Sequence, residues 1–217
     1  MLYYTYQIQR GRFMKRQHFN INDDTMYMLS VENKGLTECR VGEVYGNGFH
    51  CLTSPNKILE RNCRQYSQSY PARKELTKKL TGLSAKLPVI IDLFGSIIFF
   101  CTHSDRVAEN NWFNIKHIHS YRNYNGNTRV RFNNNEEIEV DISFTSFNNQ
   151  YLNALKLHYK FNLEKEKFEY SEMAKYKNTV PSSNYMTDIT GTSDKVSDVS
   201  YKAYLQYISG GKMNDLA

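Results

Sequence analysis

His103-Ser104-Asp105 carries the residue types of a hydrolytic triad, and His117 with His119 those of a metal site. Neither spacing serves the chemistry. Neighbours along a chain cannot line up nucleophile, base and orienting acid, because each must point at the next. His117-Ile118-His119 puts two imidazoles on one strand face, with Cys101 and His103 upstream. Zinc asks for three or four convergent ligands, usually in tight C-x-x-C or H-x-x-x-H pairs, and none of those pairs occurs. A P-loop, a G-x-G-x-x-G turn and a paired-carboxylate signature are absent as well. The expectation is a protein with no catalytic residue, no metal and no cofactor.

The chemistry the residues do support is anion binding. Residues 57–86 hold eight Lys/Arg against only Glu60 and Glu75. On a helical wheel Lys57, Arg61 and Arg64 share one face, opposite Leu59, Cys63, Tyr66 and Tyr70. In the following stretch Lys74 and Lys78 lie opposite Leu76, Leu80 and Leu83, with Arg73 between. A row of cations is an ordinary solvated face or, at this density, a surface that tracks phosphates. A polar loop, Thr102-His103-Ser104-Asp105-Arg106 running to Asn110-Asn111, adds donors suited to phosphates or base edges. That loop reads equally as self-bonded, with Asp105 pairing Arg106 or capping its turn. The candidate DNA-contacting set is Lys57, Arg61, Arg64, Arg73, Lys74, Lys78, His103, Arg106, Asn111 and Lys116.

These side chains need elements to carry them. Strands are expected at 25–31, 38–45 and 48–52, with turns at Lys34-Gly35 and Asn47-Gly48. Ser54-Pro55 opens a helix, and Pro71 opens a second one ending at Gly82. A helix-turn-helix is conceivable there, although Ser69-Tyr70-Pro71 lacks the usual glycine turn. Residues 88–92 and 96–102 read as a buried hairpin about Phe94-Gly95, and 112–122 alternates as one strand. In a second hairpin, 128–132 with 136–142, Val130 is expected opposite Ile138, Arg131 opposite Glu137 and Arg129 opposite Glu139. That register neutralises the ribbon's outer face and leaves the helices as the basic surface. A core helix closes the domain at 145–162. The fold class is α+β: antiparallel sheets and hairpins, a basic helical pair and a C-terminal core helix.

Charge is unevenly spread. Residues 1–162 carry 21 Lys/Arg against 14 Asp/Glu, while 163–217 carry 7 against 8. A basic body suits a polyanionic partner or is simply soluble. Residues 1–22 are expected to be a flexible basic segment, either a phosphate-contacting arm or a ragged terminus. Residues 163–217 are expected to be mostly disordered, with a short helix possible at 197–209 whose Tyr201, Tyr204, Leu205 and Ile208 would dock on the body or meet a partner. Cys39, Cys51, Cys63 and Cys101 form no close pair, and Met1 to Tyr6 is not a secretory core. Pro88 to Cys101 is too short to span a bilayer. The expected location is the cytoplasm, without membrane attachment.

Several stretches resemble the bacterial competence transcription factor family, ComK. They are Ile58-Leu59-Glu60-Arg61-Asn62-Cys63, Ser69-Tyr70 to Arg73-Lys74, Phe99-Phe100 to Arg106, Asn110 to His119, and Ile142-Ser143-Phe144 with Ser146-Phe147. The resemblance covers about residues 24–162, and 23–162 is taken as the DNA-binding domain. It implies a sequence-selective activator of competence genes, associated with the nucleoid. Such a protein binds paired A/T-rich boxes through the minor groove as a dimer or tetramer, works with RNA polymerase, and is delivered to a protease by an adaptor. Arg61, Arg64, Arg73 and Arg106 are the arginines in the matched region and so the first candidates for the minor groove, with Lys57, Lys74 and Lys78 the candidates for phosphates. Ala72 stands where the family commonly has Gly, and Cys101 where Pro often precedes the Thr. The alternative is a divergent paralogue that regulates through protein contacts, with weak DNA selectivity.

Overall fold

The computed structural model describes residues 15–46 and 48–179. Seven strands form the larger sheet: β1 (Lys15–Arg16), β2 (Thr25–Asn33), β3 (Leu36–Glu43), β4 (Phe49–Cys51), β5 (Val89–Ile90), β6 (Ile98–Cys101) and β7 (Trp112–Asn114). Their order is β1-β4-β3-β2-β7-β6-β5; β1 runs parallel to β4 and every other pair is antiparallel. A three-stranded sheet, β10-β9-β8, contains β8 (Ile118–Tyr124), β9 (Asn127–Phe132) and β10 (Glu137–Val140). The helices are α1 (Pro55–Gln65), α2 (Tyr70–Thr81) and α3 (Phe144–Thr179). The fold is α+β, with antiparallel pairing dominant, as the sequence indicates.

The large sheet is buried on both faces, which explains the unbroken apolar run of β6. Phe99 and Cys101 join one core with Trp112, Val41, Cys51 and the inner face of α1, namely Ile58, Leu59 and Cys63. Ile98 and Phe100 point the other way, into a second core with Phe113, Phe132, Val130, Phe147 and Leu157. A half-buried strand would alternate apolar and polar residues; one covered on both sides does not. The order of layers is therefore α1, large sheet, then α3 with the small sheet. At the β5–β6 turn, the Asp92 carboxylate accepts from the backbone N–H groups of Phe94, Ser96 and Ile97 and from the Ser96 hydroxyl. Gly95 at that turn has φ +77°, and a Cβ there would lie 2.4 Å from the Phe161 ring of α3.

The second hairpin takes the expected register, with Val130 opposite Ile138, Arg131 opposite Glu137 and Arg129 opposite Glu139. Several other expectations need correction. The single strand over 112–122 is broken by a 3-10 turn at Ile115–His117, where the Asn114 side chain accepts from the Lys116 N–H and donates to the Thr25 carbonyl. That turn carries the chain from one sheet to the other. The closing helix runs to Thr179 rather than ending at 162, so 163–179 is helical and not a disordered tail. Residues 15–22 are not a free arm either. Phe19 and Ile21 are core residues, and the buried Asn62 side chain accepts from the Ile21 N–H while donating to the Phe19 and Ile58 carbonyls. The rest of the expected N-terminal segment, the Asn47-Gly48 turn at its first residue, and the possible helix at 197–209 lie outside the described residues.

Candidate nucleic-acid interface

Helix α1 begins as its sequence indicates, with Ser54 in extended backbone at the N-cap and Pro55 at the first position, although the Ser54 hydroxyl makes no cap bond. Its inner face enters the core, which turns Lys57, Arg61 and Arg64 outward, all exposed. Arg64 bonds Glu60 at 2.5 Å one turn back, an exposed pair worth little in water. Arg61 contacts His18 Nδ1. The helix stops at Gln65, and Ser67 takes a left-handed φ of 59° in the link to α2. Ser69 caps α2 by accepting from the Ala72 N–H, and Gly82 closes it in the left-handed conformation.

Ala72 therefore sits in the first turn of a helix, where a glycine's access to positive φ is not required. Arg73 is overturned as an outward reader. It is 3% exposed, and its guanidinium donates to the carbonyls of Ile91 and Asp92. Burial lowers its pKa, opposed by the charges of Cys63 and Asp92. Arg73 ties α2 to the β5–β6 turn, a structural role. Lys78 remains exposed beside Glu75.

The polar loop after β6 is largely self-bonded. Thr102 is buried, its hydroxyl accepting from the Asn111 N–H and contacting His103 Nδ1. The His103 N–H donates to Asn110 Oδ1. Asp105 pairs not with Arg106 but with α2, accepting from Lys74 Nζ at 2.6 Å and the Tyr70 hydroxyl at 2.9 Å. Burial alone would raise the Asp105 pKa, but these two bonds outweigh it and the net shift is downward. Tyr70 moves upward through burial and its bond to Asp105. From α1, Asn56 donates to the carbonyls of Asp105 and Val107 and accepts from Trp112 Nε1 and the Asn110 amide. The two helices and the loop are thus one bonded unit.

Of the ten candidates, this unit holds together Lys57, Arg61, Arg64, Lys74, Lys78, His103 and the exposed Arg106. Two are committed elsewhere. Asn111 Oδ1 accepts from the Ser30 N–H of β2, and Lys116 pairs with Asp23 at 2.5 Å. In the small sheet Arg129 pairs with Glu139 at 3.8 Å, Arg122 lies 4.0 Å from Glu137 in an exposed pair, and Arg131 donates to the Asn135 amide oxygen. Sequence reasoning placed Arg16 only in a flexible basic segment and missed His18; both line a cleft of about 390 Å³ with Arg61, Phe19, Asn20, Asn22 and Gln65. The alternation Phe19-x-Ile21 was the signal that this segment packs.

The described residues contain no cluster of three or more His, Cys, Asp or Glu able to hold a metal, and no helix long and apolar enough to cross a membrane. The four cysteines are buried free thiols, and burial pushes Cys63 up to about 11 and Cys101 up to about 12. The ComK protein family matches residues 16–166, beginning inside the segment that Asn62 fastens down. The competence transcription factor of Bacillus subtilis (strain 168) is 32% identical over 146 residues, 67% of this chain and 76% of that protein. No solved structure matches significantly. The chain belongs to the ComK family and is a transcription regulator, not an enzyme.

Proposed function

We propose that this regulator is a sequence-selective DNA-binding activator of competence genes that binds A/T-rich promoter boxes through the minor groove as a homo-oligomer. RNA polymerase and a protease adaptor are its further partners in this reading, and the nucleoid its place of work. The observation that carries it is the outward row Lys57-Arg61-Arg64, exposed on α1 above a buried inner face. A narrow A-tract minor groove concentrates negative potential and favours inserted arginine, so Arg64 is the reader on α1, with Arg106 on the adjoining loop, while Arg61 contacts the DNA backbone. Lys57 and Lys78 contact phosphates, and Lys74 does so while held by Asp105. His103, Asn111 and Lys116 shape and fasten the surface instead of reading bases.

Fluorescence anisotropy tests this with a duplex carrying two A/T-rich boxes and a G/C-rich control, alongside light scattering of the complex. Selective binding of the first duplex by a dimer or tetramer is expected. Equal, weak binding to both duplexes favours the divergent protein-interaction regulator. That second reading draws on Leu93 and Phe94, 58% and 73% exposed on the β5–β6 turn, an apolar tip suited to a protein partner.

A further inference from the structure

Among the described residues, Arg61 is the member of the α1 row with a side-chain contact to another segment, His18, and Arg16 lies on that same segment. The cleft between residues 16–22 and α1 is lined by Arg16, His18, Phe19, Asn20, Asn22, Arg61 and Gln65, with no carboxylate among these residues. Both guanidinium groups are held in place. Arg16 lies over the Phe49 ring, 4.0 Å from its centroid, and the Arg16 carbonyl accepts from the Leu52 N–H. Arg61 donates to His18 Nδ1 in the tautomer that leaves that nitrogen unprotonated. The segment carrying Arg16 and His18 is itself fastened: β1 pairs with β4, the Thr53 hydroxyl donates to the Gln17 carbonyl, and Asn62 bonds residues 19 and 21. Gln65 donates to Asn20 across the cleft, and Asn22 donates to Glu43.

Two like charges lining one cleft, whose lining holds no carboxylate and touches an acid only where Asn22 bonds Glu43, are stabilised by an anion between them. Planar, preorganised guanidinium forks match the oxygens of a phosphate, and fixing them beforehand lowers the entropy lost on binding. We infer that this cleft is a phosphate seat, in which Arg16 and Arg61 grip a single phosphate group and His18 positions Arg61. Resting on the DNA-binding reading above, that phosphate is one backbone phosphodiester of the duplex, held at the flank of the α1 row. The seat anchors the register of α1 without reading sequence.

The test uses the full chain in two arms. In the first, anisotropy with the two-box duplex is titrated with salt for wild type, Arg61→Gln, Arg16→Gln and the double variant. Each single change is expected to weaken binding about five- to tenfold. One shared phosphate predicts that the double variant lowers the slope of log K against log[salt] by about 1, since each neutralised phosphate contributes about 0.9. An unchanged slope in a wild type that binds overturns the seat, and so does a fall of about 2 with additive losses, which means two separate phosphates. Arg16→Lys keeps the charge but loses the fork over Phe49; it is expected to keep the salt slope while losing part of the affinity.

In the second arm, inorganic phosphate is titrated while the His18 ring resonances are followed by NMR. A saturable shift that Arg61→Gln abolishes is expected. If the wild type binds no duplex, the DNA reading fails, and this arm alone decides the cleft. A saturable shift upholds a phosphate seat for a free or differently carried phosphate, and its absence removes the seat as well.

Discussion

Asn56 is the residue on which the basic unit hinges. Its amide bonds two loop carbonyls and its oxygen receives Trp112 Nε1 at 2.7 Å, at the first turn of α1. Asn56→Ala orphans the indole N–H and loosens the loop, and is expected to cost about 2–3 kcal/mol of stability, the range for a buried group stripped of its partner. Urea unfolding followed by fluorescence of the single tryptophan measures it. Arg73→Met is expected to cost about 1–3 kcal/mol by leaving the buried Ile91 and Asp92 carbonyls without their donor. At matched folded concentration it should leave DNA affinity unchanged, which an outward reader would not.

Asp105 gives a pH-dependent expectation. Its folded pKa lies below the unfolded value of about 3.9, because the bonds from Lys74 and Tyr70 outweigh burial. Its stabilisation is therefore complete above the unfolded value and fades as pH falls through the folded one. Asp105→Asn should be less stable than wild type at pH 7, and the gap should close below about pH 4 in urea melts. The residue chemistry was partly legible: the cation row on α1 was, but the inward turn of Arg73 was not. A helical wheel gives angles between side chains, not which boundary angle a neighbouring β-turn covers. The self-bonding of the Thr102–Asn111 loop was legible as one of two readings, since short polar side chains satisfy nearby backbone as readily as they meet a ligand.

At the scale of elements, the β5–β6 turn and α3 are coupled through Gly95. A Cβ at this position meets the Phe161 ring at 2.4 Å in a backbone conformation with φ +77°. Gly95→Ala is expected to destabilise by about 1–3 kcal/mol, from overpacking plus left-handed strain. In a Phe161→Ala background the added cost should shrink, because only the strain remains; a double-mutant cycle by urea unfolding reads the coupling. The hairpin register of β9 and β10 was legible because two apolar alternations and two charge pairs allowed one solution. The break of 112–122 at Ile115–His117 was not, since alternation persists through it and the turn depends on Asn114 reaching the distant Thr25 carbonyl. The extension of α3 hid behind polar composition, although Glu164 and Lys167 are spaced for a helical pair and do pair at 2.9 Å.

Over the whole molecule, a sheet covered on both faces fixes α1 on the side away from α3 and the small sheet. The positive charge that matters is then a question of which cations are left unspent. In the small sheet only the half-buried Arg129 is held by an acid, Glu139; Arg122 reaches Glu137 at 4.0 Å in an exposed pair as weak as that of Arg64, and Arg131 donates to the neutral Asn135. Helix α1 presents Lys57 and Arg61 with no carboxylate partner among the described residues, and Arg64 only in an exposed pair with Glu60. Net charge alone favours neither surface; position in the fold separates them.

The most direct measurement is a salt titration of duplex binding by three proteins: wild type, Arg61→Ala with Arg64→Ala, and Arg129→Ala with Arg131→Ala. If α1 is the DNA surface, the first pair of changes should lower affinity by at least about tenfold and flatten the salt slope by one to two. The second pair should stay within about twofold of wild type with an unchanged slope. The reverse pattern, loss through the β9 arginines with α1 silent, would contradict the placement of the interface.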